Sequence, residues 1–219
     1  MVQDSARHHR LSIRLRGYDY SQAGAYFITI CTQNRGCLFG DVAGGEMRLN
    51  DAGRSVEQCW NEIPAHFPNV ELDAFVIMPN HIHGVLWITK TVGARHAVPL
   101  QHAVPLQHAV PQHNDTPGME QFGRPVAGSI PTIMRSFKSA VTKRINEMRR
   151  TPGVPVWQRN YYEHIIRNDE SLNLIREYIV NNPLQWSMDR ENPEITVGAR
   201  HAVPLHNAVP LQKDEPWRI

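Results

Sequence analysis

A short proline-containing unit, HAVPLQ, recurs in the chain and limits how much of the sequence can join a folded core. It runs through residues 91–112 and again through residues 196–212. A proline in every unit blocks a helix and spoils the interior of a sheet, and each unit is too short and too polar to bury a face. We therefore predict that both stretches are flexible and that the fold is built from the rest of the chain.

The predicted domain organisation follows from the positions of the repeats. We expect one domain over residues 1–187, interrupted by a repeat insertion at 91–120, and a repeat tail at 188–219. A chain of 219 residues is long enough for one domain with a substantial core.

Composition narrows the class of protein. No apolar run approaches the ~20 residues that span a membrane, and the polar first residues lack the apolar stretch of a secretion signal. The three cysteines include no CxxC pair, which favours reduced thiols in a cytoplasmic protein. Between Arg124 and Arg167, nine Lys and Arg residues are opposed by only two acidic ones. This density suits a polyanion such as nucleic acid, although a solvated helix face would look the same.

Outside the repeats, the apolar residues follow strand and helix spacing in alternation. Strands are predicted at 25–33, 70–78, 81–89 and 156–166, and helices at 51–63, at 129–149 and from 169 to just before Pro183. The order β-α-β-β-α-β with an additional C-terminal helix predicts an α+β, ferredoxin-like fold, in which an antiparallel sheet has helices on one face. In that topology the first and third strands are central.

Two histidines on the third predicted strand form the first candidate site. His81 and His83 are one residue apart, so their side chains point to the same face of the sheet and Ile82 to the other. Two adjacent imidazoles make a bidentate metal site that needs a further ligand. Two half-exposed strand histidines without a metal would show the same pattern.

The last predicted helix offers that further ligand. Tyr178 and Asn182 are four residues apart and therefore lie on one helical face, beside an apolar stripe that contains Ile175 and Ile179. The Asn182 carbonyl oxygen is a hard ligand suited to Mg²⁺ or Mn²⁺. We expect the Tyr178 phenol to lie over the same metal, although a tyrosine at the rim of a packed helix would have the same spacing.

Three segments, MPNHIHGVLWI, WQRNYYEHIIRN and REYIVNNP, together resemble the REP-associated tyrosine transposases, relatives of the single-tyrosine HUH insertion-sequence transposases. The resemblance runs from about Leu15 to Trp186, and the repeat insertion and tail depart from it. It implies that Tyr178 is the catalytic nucleophile and that His81, His83 and Asn182 bind Mg²⁺ or Mn²⁺. It also implies an enzyme that cleaves and rejoins single-stranded DNA at hairpin-containing sites through a 5′-phosphotyrosine intermediate.

Basic and polar side chains are candidates for contact with DNA. Some would contact phosphates, and others would contact bases or stack on them. The full set is Arg14, Arg16, Arg135, Lys138, Lys143, Trp157, Gln158 and Arg159. Trp157 would suit the core equally well. The expected partner is single-stranded or hairpin DNA, bound by a monomer or a homodimer, and the short link between the fourth strand and the last helix favours the monomer.

Other interpretations fit the sequence as well. Tyr161 and Tyr162 are rival nucleophiles on the fourth predicted strand, where one should face the core, and Glu163 or His164 would support the site or serve only as strand-edge residues. A non-catalytic nucleic-acid-binding protein on a ferredoxin-like sheet would tolerate the loss of Tyr178, but the chain has no RNP1-like aromatic motif. A metallohydrolase would need carboxylates near the histidines, and HIHGVLWIT contains none.

Overall fold

The strands and helices of the chain alternate much as predicted. The computed structural model describes residues 18–89, 126–189 and 191–193, so both repeat stretches lie outside the described residues. The strands are β1 (Gly24–Cys31), β2 (Gly40–Ala43), β3 (Glu46–Leu49), β4 (Val70–Met78), β5 (His81–Ile88) and β6 (Tyr162–Ile166). The helices are α1 (Asp51–Asn61), α2 (Ile63–His66), α3 (Ile130–Arg149) and α4 (Asp169–Asn181).

The main sheet is antiparallel, with the strand order β4-β5-β1-β6. The α+β class and the antiparallel sheet are confirmed, and β1 and β5 occupy the two central positions expected for the first and third predicted strands. In the register between these strands, Thr29 lies opposite His83 and Cys31 lies opposite His81. The histidine strand is therefore flanked by a neighbour on each side.

Helices cover both faces of this sheet. Ile28 and Ile30 of β1 face a large core under α1 and α3, whereas Phe27 faces the opposite way into a smaller core under α4. The prediction placed the paired helices on one face, and the additional helix α4 takes the other. It does so because its own apolar stripe, which includes Leu172 and Ile175, needs a second apolar surface on which to pack.

Asparagine side chains determine where two helices begin. The Asn50 side chain accepts a hydrogen bond from the Gly53 N–H at 3.0 Å at the start of α1. The Asn168 side chain accepts one from the Ser171 N–H at 2.8 Å at the start of α4. Each bond satisfies a backbone donor that has no partner within its own helix. The capping of α4 also sets its rotation, and hence the direction of its side chains.

A β-hairpin between β1 and α1 was not predicted. β2 pairs with β3 through a turn at Gly44 and Gly45, both of which have positive φ values. A Gly-Gly pair is the usual signal for such a tight turn. The strands on either side have four residues each, which is too short for periodicity to stand out from noise.

The fourth predicted strand is shorter than expected. β6 begins at Tyr162 rather than at residue 156, and upstream of it Trp157 forms only an isolated bridge with Thr32. The Lys138 ammonium group donates to the carbonyls of Gln158 and Arg159 at 2.7 and 2.9 Å. These carbonyls therefore bond to a helix side chain instead of a neighbouring strand.

Gly84 of β5 lies beneath a pair of stacked rings, and we predict that it does not tolerate a side chain. The Trp60 and Phe75 rings stack with centroids 4.4 Å apart, and a methyl group on Gly84 would overlap the Trp60 indole. Gly84→Ala is expected to lower the free energy of unfolding by about 1–3 kcal/mol through overpacking. Urea unfolding followed by circular dichroism measures this change.

Gly36→Ala is the matched control, because a β-carbon there meets only the Gln33 carbonyl oxygen, at 3.9 Å. It should leave the unfolding midpoint unchanged. Equal midpoints for the two variants would contradict the packing explanation for Gly84.

Candidate active site

His81 and His83 lie side by side on the face of the sheet that α4 covers. Their ring centroids are 4.6 Å apart, and the side chains are buried, with exposed fractions of 0% and 5%. The His83 ring also stacks against Phe27 at 5.5 Å. Because side chains alternate between the two faces along β5, both imidazoles lie on the same face, as the spacing of the motif predicted.

Each imidazole is oriented by a hydrogen bond to its Nδ1 atom. His83 Nδ1 lies 2.8 Å from Thr29 Oγ1 on the neighbouring strand. His81 Nδ1 lies 2.8 Å from Oδ1 of the adjacent Asn80. Partners of this kind fix the rotation of a ring and leave its Nε2 atom to act as a ligand or acceptor. The sequence analysis identified neither Thr29 nor Asn80, since a partner on another strand becomes visible only once the register is known.

Burial keeps both rings neutral. It lowers the pKa of His81 to about 3, and the nearby Arg35 contributes to this decrease, whereas the adjacent Asn182 amide opposes it. Burial also holds the pKa of His83 well below its ordinary value, with a further contribution from His81. A neutral imidazole has a free lone pair, which is the form that binds a metal ion.

α4 brings Tyr178 to the histidine pair. The Tyr178 hydroxyl and His83 Nε2 are hydrogen-bonded at 3.2 Å. The Tyr178 ring also meets Phe27 edge to face, with centroids 6.3 Å apart. The structure therefore places the predicted nucleophile against the predicted ligand within a single chain.

Asn182 reaches the same place one helical turn later. Its side chain is only 3% exposed and lies beside the His81 ring. The Asn182 Oδ1 and His81 Nε2 atoms are both buried and have no hydrogen-bond partner among the described residues. Buried acceptors without partners are costly, and a bound cation is one way to satisfy them.

The donor set could hold a divalent cation. It consists of neutral imidazole nitrogens from His81 and His83, which transition metals favour, and an amide oxygen from Asn182, which hard ions such as Mg²⁺ and Mn²⁺ favour. In the part of the chain that the structure describes, no group of three or more His, Cys, Asp and Glu side chains is arranged to hold a metal ion. In the arrangement that the structure shows, Asn182 is therefore the side chain that adds a third donor to the two imidazoles.

A carboxylate that the sequence analysis did not identify also lies close to His81. After α4, a 3-10 turn (Pro183–Met188) leads the chain back over the histidines, and Asp189 Oδ2 comes to 3.9 Å from His81 Nε2. Glu191 of the same segment pairs with Arg35 at 2.9 Å. No spacing rule links Asp189 to a strand more than a hundred residues earlier, so its position depends on the turn.

The rival nucleophiles lie elsewhere. Tyr161 packs against the core under α1 and α3. Tyr162 shares the face of Tyr178 and meets Phe27 at 6.4 Å, whereas Tyr178 is the tyrosine that is hydrogen-bonded to His83. On β6, Glu163 is buried opposite Ile28 and His164 is half-buried opposite Phe27.

The predicted DNA contacts that the structure describes lie on α3 and on the segment before β6. Arg135 and Lys143 are exposed on α3, and Arg14 and Arg16 lie outside the described residues. A groove of about 430 Å³ lies between α3 and the segment before β6, and its lining includes Lys138, Lys143, Trp157, Gln158 and Arg159. These groups lie on the α3 side of the molecule, away from the histidine face.

Trp157 occupies the core, the alternative that the sequence left open. It is 5% exposed, and its ring packs against Phe39 and Phe137 at 5.1 and 5.9 Å. Because the residue is buried against these rings, it cannot stack on a base without partial unfolding. Lys138, another predicted DNA contact, is already engaged within the protein, because its ammonium group donates to the carbonyls of Gln158 and Arg159.

An ion pair holds α4 on the sheet. Arg176 donates to Asp73 of β4 through Nε at 2.8 Å and through Nη2 at 2.6 Å. The Trp87 indole N–H donates to the same carboxylate at 3.0 Å. Arg176 lies half a turn from Tyr178, so this pair fixes the part of α4 that carries the phenol.

The ion pair predicts a pH dependence of stability. Hydrogen bonds from Arg176 lower the pKa of Asp73 from 3.8 to about 2. The folded-state pKa is depressed, so the pair stabilises the fold above pH 4 and the contribution is lost as the pH falls towards 2. Arg176→Met should cost ~1 kcal/mol at pH 7, a figure reduced by solvent screening, and the difference should shrink over that range. Urea unfolding at several pH values measures it.

Lys143→Met provides the control, since Lys143 lies 4.0 Å from Glu147 in a pair that is 76% and 65% exposed. Such a pair contributes little to stability. A difference between Arg176→Met and the parent that stays constant down to pH 2 would contradict the role of the ion pair.

No protein-family model matches the chain, but two related proteins are found by sequence. The chain is 44% identical over 183 residues to an uncharacterized protein of Haemophilus influenzae, and the match covers 84% of this chain and 93% of that protein. It is 25% identical over 167 residues to a candidate REP-associated tyrosine transposase of the same organism, covering 76% and 74%.

The chain also resembles two solved structures. One is a REP-associated tyrosine transposase bound to a REP hairpin, with a TM-score of 0.48, 17% identity, and coverage of 78% of this chain and 73% of that one. The other is a candidate transposase from Deinococcus radiodurans, with a TM-score of 0.38, 18% identity, and coverage of 77% and 95%. The similarity of shape is partial at these scores, and the relationship rests on the sequences.

Proposed function

We propose that the chain, a member of the REP-associated tyrosine transposase family, is an enzyme that cleaves and rejoins single-stranded DNA at hairpin-containing sites. The observation that carries this proposal is the 3.2 Å contact between the Tyr178 hydroxyl and His83 Nε2. This contact brings a possible nucleophile next to a nitrogen that could bind a metal ion. We propose that the protein works in the cytoplasm; among the described residues, none of the helices has the length and apolar character needed to span a bilayer.

The fold expected of this enzyme is a ferredoxin-like core with α4 as the nucleophile helix. The order β4-β5-β1-β6 supports it, as do α1 in the connection between β1 and β4 and α3 in the connection between β5 and β6. Tyr178 and His83 meet within one chain. A monomer could therefore form the site without a partner, although an exchange of α4 in a homodimer would form an equivalent one.

Tyr178 is the proposed nucleophile. Its phenol oxygen attacks the scissile phosphorus, the bond to the 3′ oxygen breaks, and a 5′-phosphotyrosine and a free 3′-OH result. The phenol loses its proton and the departing 3′ oxygen gains one. Attack by another 3′-OH reverses the step and joins strands without a further energy source, because the phosphotyrosine bond retains the energy of the original ester.

His81, His83 and Asn182 would hold the divalent cation, Mg²⁺ or Mn²⁺. When bound, the cation supplies charge stabilisation for the developing transition state. The Tyr178 hydroxyl is hydrogen-bonded to His83 Nε2, so use of that nitrogen as a ligand would release the phenol oxygen for attack. A phenol has a pKa of about 10 in water, so the positive charge of a nearby cation would favour its ionised form.

Contacts with the rest of the DNA would come from the basic groups of α3 and the loop before β6. Arg135, Lys143 and Arg159 are exposed in the structure and available to phosphates. Gln158 lies at the rim of the same groove. Lys138 also has a structural role, because its ammonium group donates hydrogen bonds to the backbone of this loop. Arg14 and Arg16 remain proposed contacts.

Tyr178→Phe is predicted to abolish covalent attachment to DNA. The variant keeps the ring that packs on Phe27 but lacks the oxygen that forms the phosphotyrosine. A denaturing gel with labelled hairpin oligonucleotides from the flanks of the gene shows the adduct as a retarded band. Tyr162→Phe is the control, because Tyr162 lies on the same face and also meets Phe27.

The two variants separate the rival nucleophiles. An adduct that persists in Tyr178→Phe and vanishes in Tyr162→Phe would transfer the role to Tyr162. A parent chain that binds hairpin DNA but never forms an adduct would favour a non-catalytic binding protein.

Removal of the metal is predicted to stop cleavage and to leave hairpin binding intact, because the cation is assigned to transition-state stabilisation and the basic surface to affinity. Cleavage and fluorescence anisotropy are measured in parallel with excess EDTA, and Mn²⁺ is then restored. Undiminished cleavage in the chelator would contradict the metal requirement.

A further inference from the structure

We propose that Asp189 supplies an additional, anionic ligand to the cation site formed by His81, His83 and Asn182. The inference rests on the proposed function, because it extends the ligand set of that site. The observation behind it is the approach of Asp189 Oδ2 to 3.9 Å from the buried His81 Nε2.

Asn80 determines which nitrogen of His81 carries the proton. The Asn80 Nδ2 atom donates to the Arg35 carbonyl at 3.0 Å and to the Glu191 carbonyl at 2.7 Å. Both partners are acceptors, so the amide orientation is fixed and Oδ1 faces His81 Nδ1 at 2.8 Å. An amide oxygen can only accept a hydrogen bond. His81 Nδ1 is therefore the donor, and in the neutral ring Nε2 carries a lone pair.

Acceptors thus converge at His81 Nε2. This nitrogen lies 3.9 Å from Asp189 Oδ2, and the buried Asn182 oxygen lies beside the same ring. Acceptors facing each other in a buried place repel unless a positive centre lies between them. The separation of 3.9 Å between Asp189 and His81 is longer than the ~2.7–2.9 Å of a charge-assisted hydrogen bond. A cation between the groups explains their arrangement.

The distance is close to what a shared cation needs. Two ligands at ~2.1 Å from one Mg²⁺ lie about 3 Å apart when they are adjacent in an octahedron. Asp189 Oδ1 accepts from the Glu191 N–H at 2.7 Å, and Oδ2 is the oxygen that approaches the histidine. This anionic oxygen would favour a hard divalent ion at a site whose other ligands are neutral.

The segment that presents Asp189 is docked on the domain. Glu191 pairs with Arg35 at 2.9 Å, its carbonyl accepts from Asn80, and Asn192 Nδ2 donates to the Trp186 carbonyl at 3.0 Å. Tyr178, Asn182 and Asp189 thus reach the histidines from one continuous stretch of chain.

The test is a calorimetric titration of the full chain with Mn²⁺ in the absence of DNA, so that no cleavage intervenes. Asp189→Asn, which removes the charge and keeps the shape, should weaken Mn²⁺ binding by about tenfold or more, at least as much as the loss of an outer-shell partner of a ligand. Asp189→Glu retains a carboxylate and should bind Mn²⁺ more tightly than Asp189→Asn. Thermal unfolding in EDTA should be the same for all variants.

Glu191→Gln is the matched control. It removes one acidic charge and the ion pair with Arg35 from the same segment, but it leaves Asp189 and the backbone bond from Asn80 in place. Its Mn²⁺ affinity should therefore fall far less than that of Asp189→Asn. If Asp189→Asn also binds like the parent, the ligand role falls while the proposed function stands. Equal weakening by both variants would assign the effect to docking of the segment and overturn the inference. A parent that binds no Mn²⁺ would overturn both this inference and the metal requirement of the proposed function.

Discussion

The burial of two imidazoles beneath a helix is the constraint on which the rest of the site depends. A buried polar ring needs a partner for each nitrogen, and here strand, turn and helix each supply partners. Thr29 and Asn80 take the Nδ1 atoms, and Tyr178 takes one of the Nε2 atoms. The remaining nitrogen, on His81, is where Asn182 and Asp189 approach. The positions of these side chains thus follow from the need of two buried imidazoles for hydrogen-bond partners in an otherwise apolar layer.

The position of α4 determines where the Tyr178 phenol lies relative to the two imidazoles. Its apolar side chains hold it on the sheet, and the pair between Arg176 and Asp73 limits sliding along it. The start of the helix is tied to β6 by a link of two residues, Arg167 and Asn168. Because α4 is held at its start and again at Arg176, the Tyr178 side chain two residues further on has little freedom, and pre-organisation of this kind is what a nucleophile requires.

Much of this architecture could be predicted from the sequence, because it depends on local spacing. The alternation of HIH put both histidines on one face, and the four-residue interval put Tyr178 and Asn182 on one side of α4. The β-hairpin at Gly44 and Gly45 could have been found from its turn residues alone. Asp189 could not, because its place depends on a 3-10 turn and on hydrogen bonds to Asn80 and Arg35. The burial of Trp157 was equally inaccessible, since one aromatic residue before a strand fits a core or a surface.

The direction of β5 has a consequence for how the gene can change. The strand begins at His81 and ends at Ile88, and at ~3.3 Å per residue its far end lies roughly 20 Å from the imidazoles. The proline-bearing units follow that far end, and the chain re-enters the described fold at Val126. A gain or loss of whole units in this insertion, as replication slippage on a repeated codon series produces, would alter chain length at a point of attachment remote from the reacting groups. Selection on catalysis would then leave the copy number within the insertion free to drift.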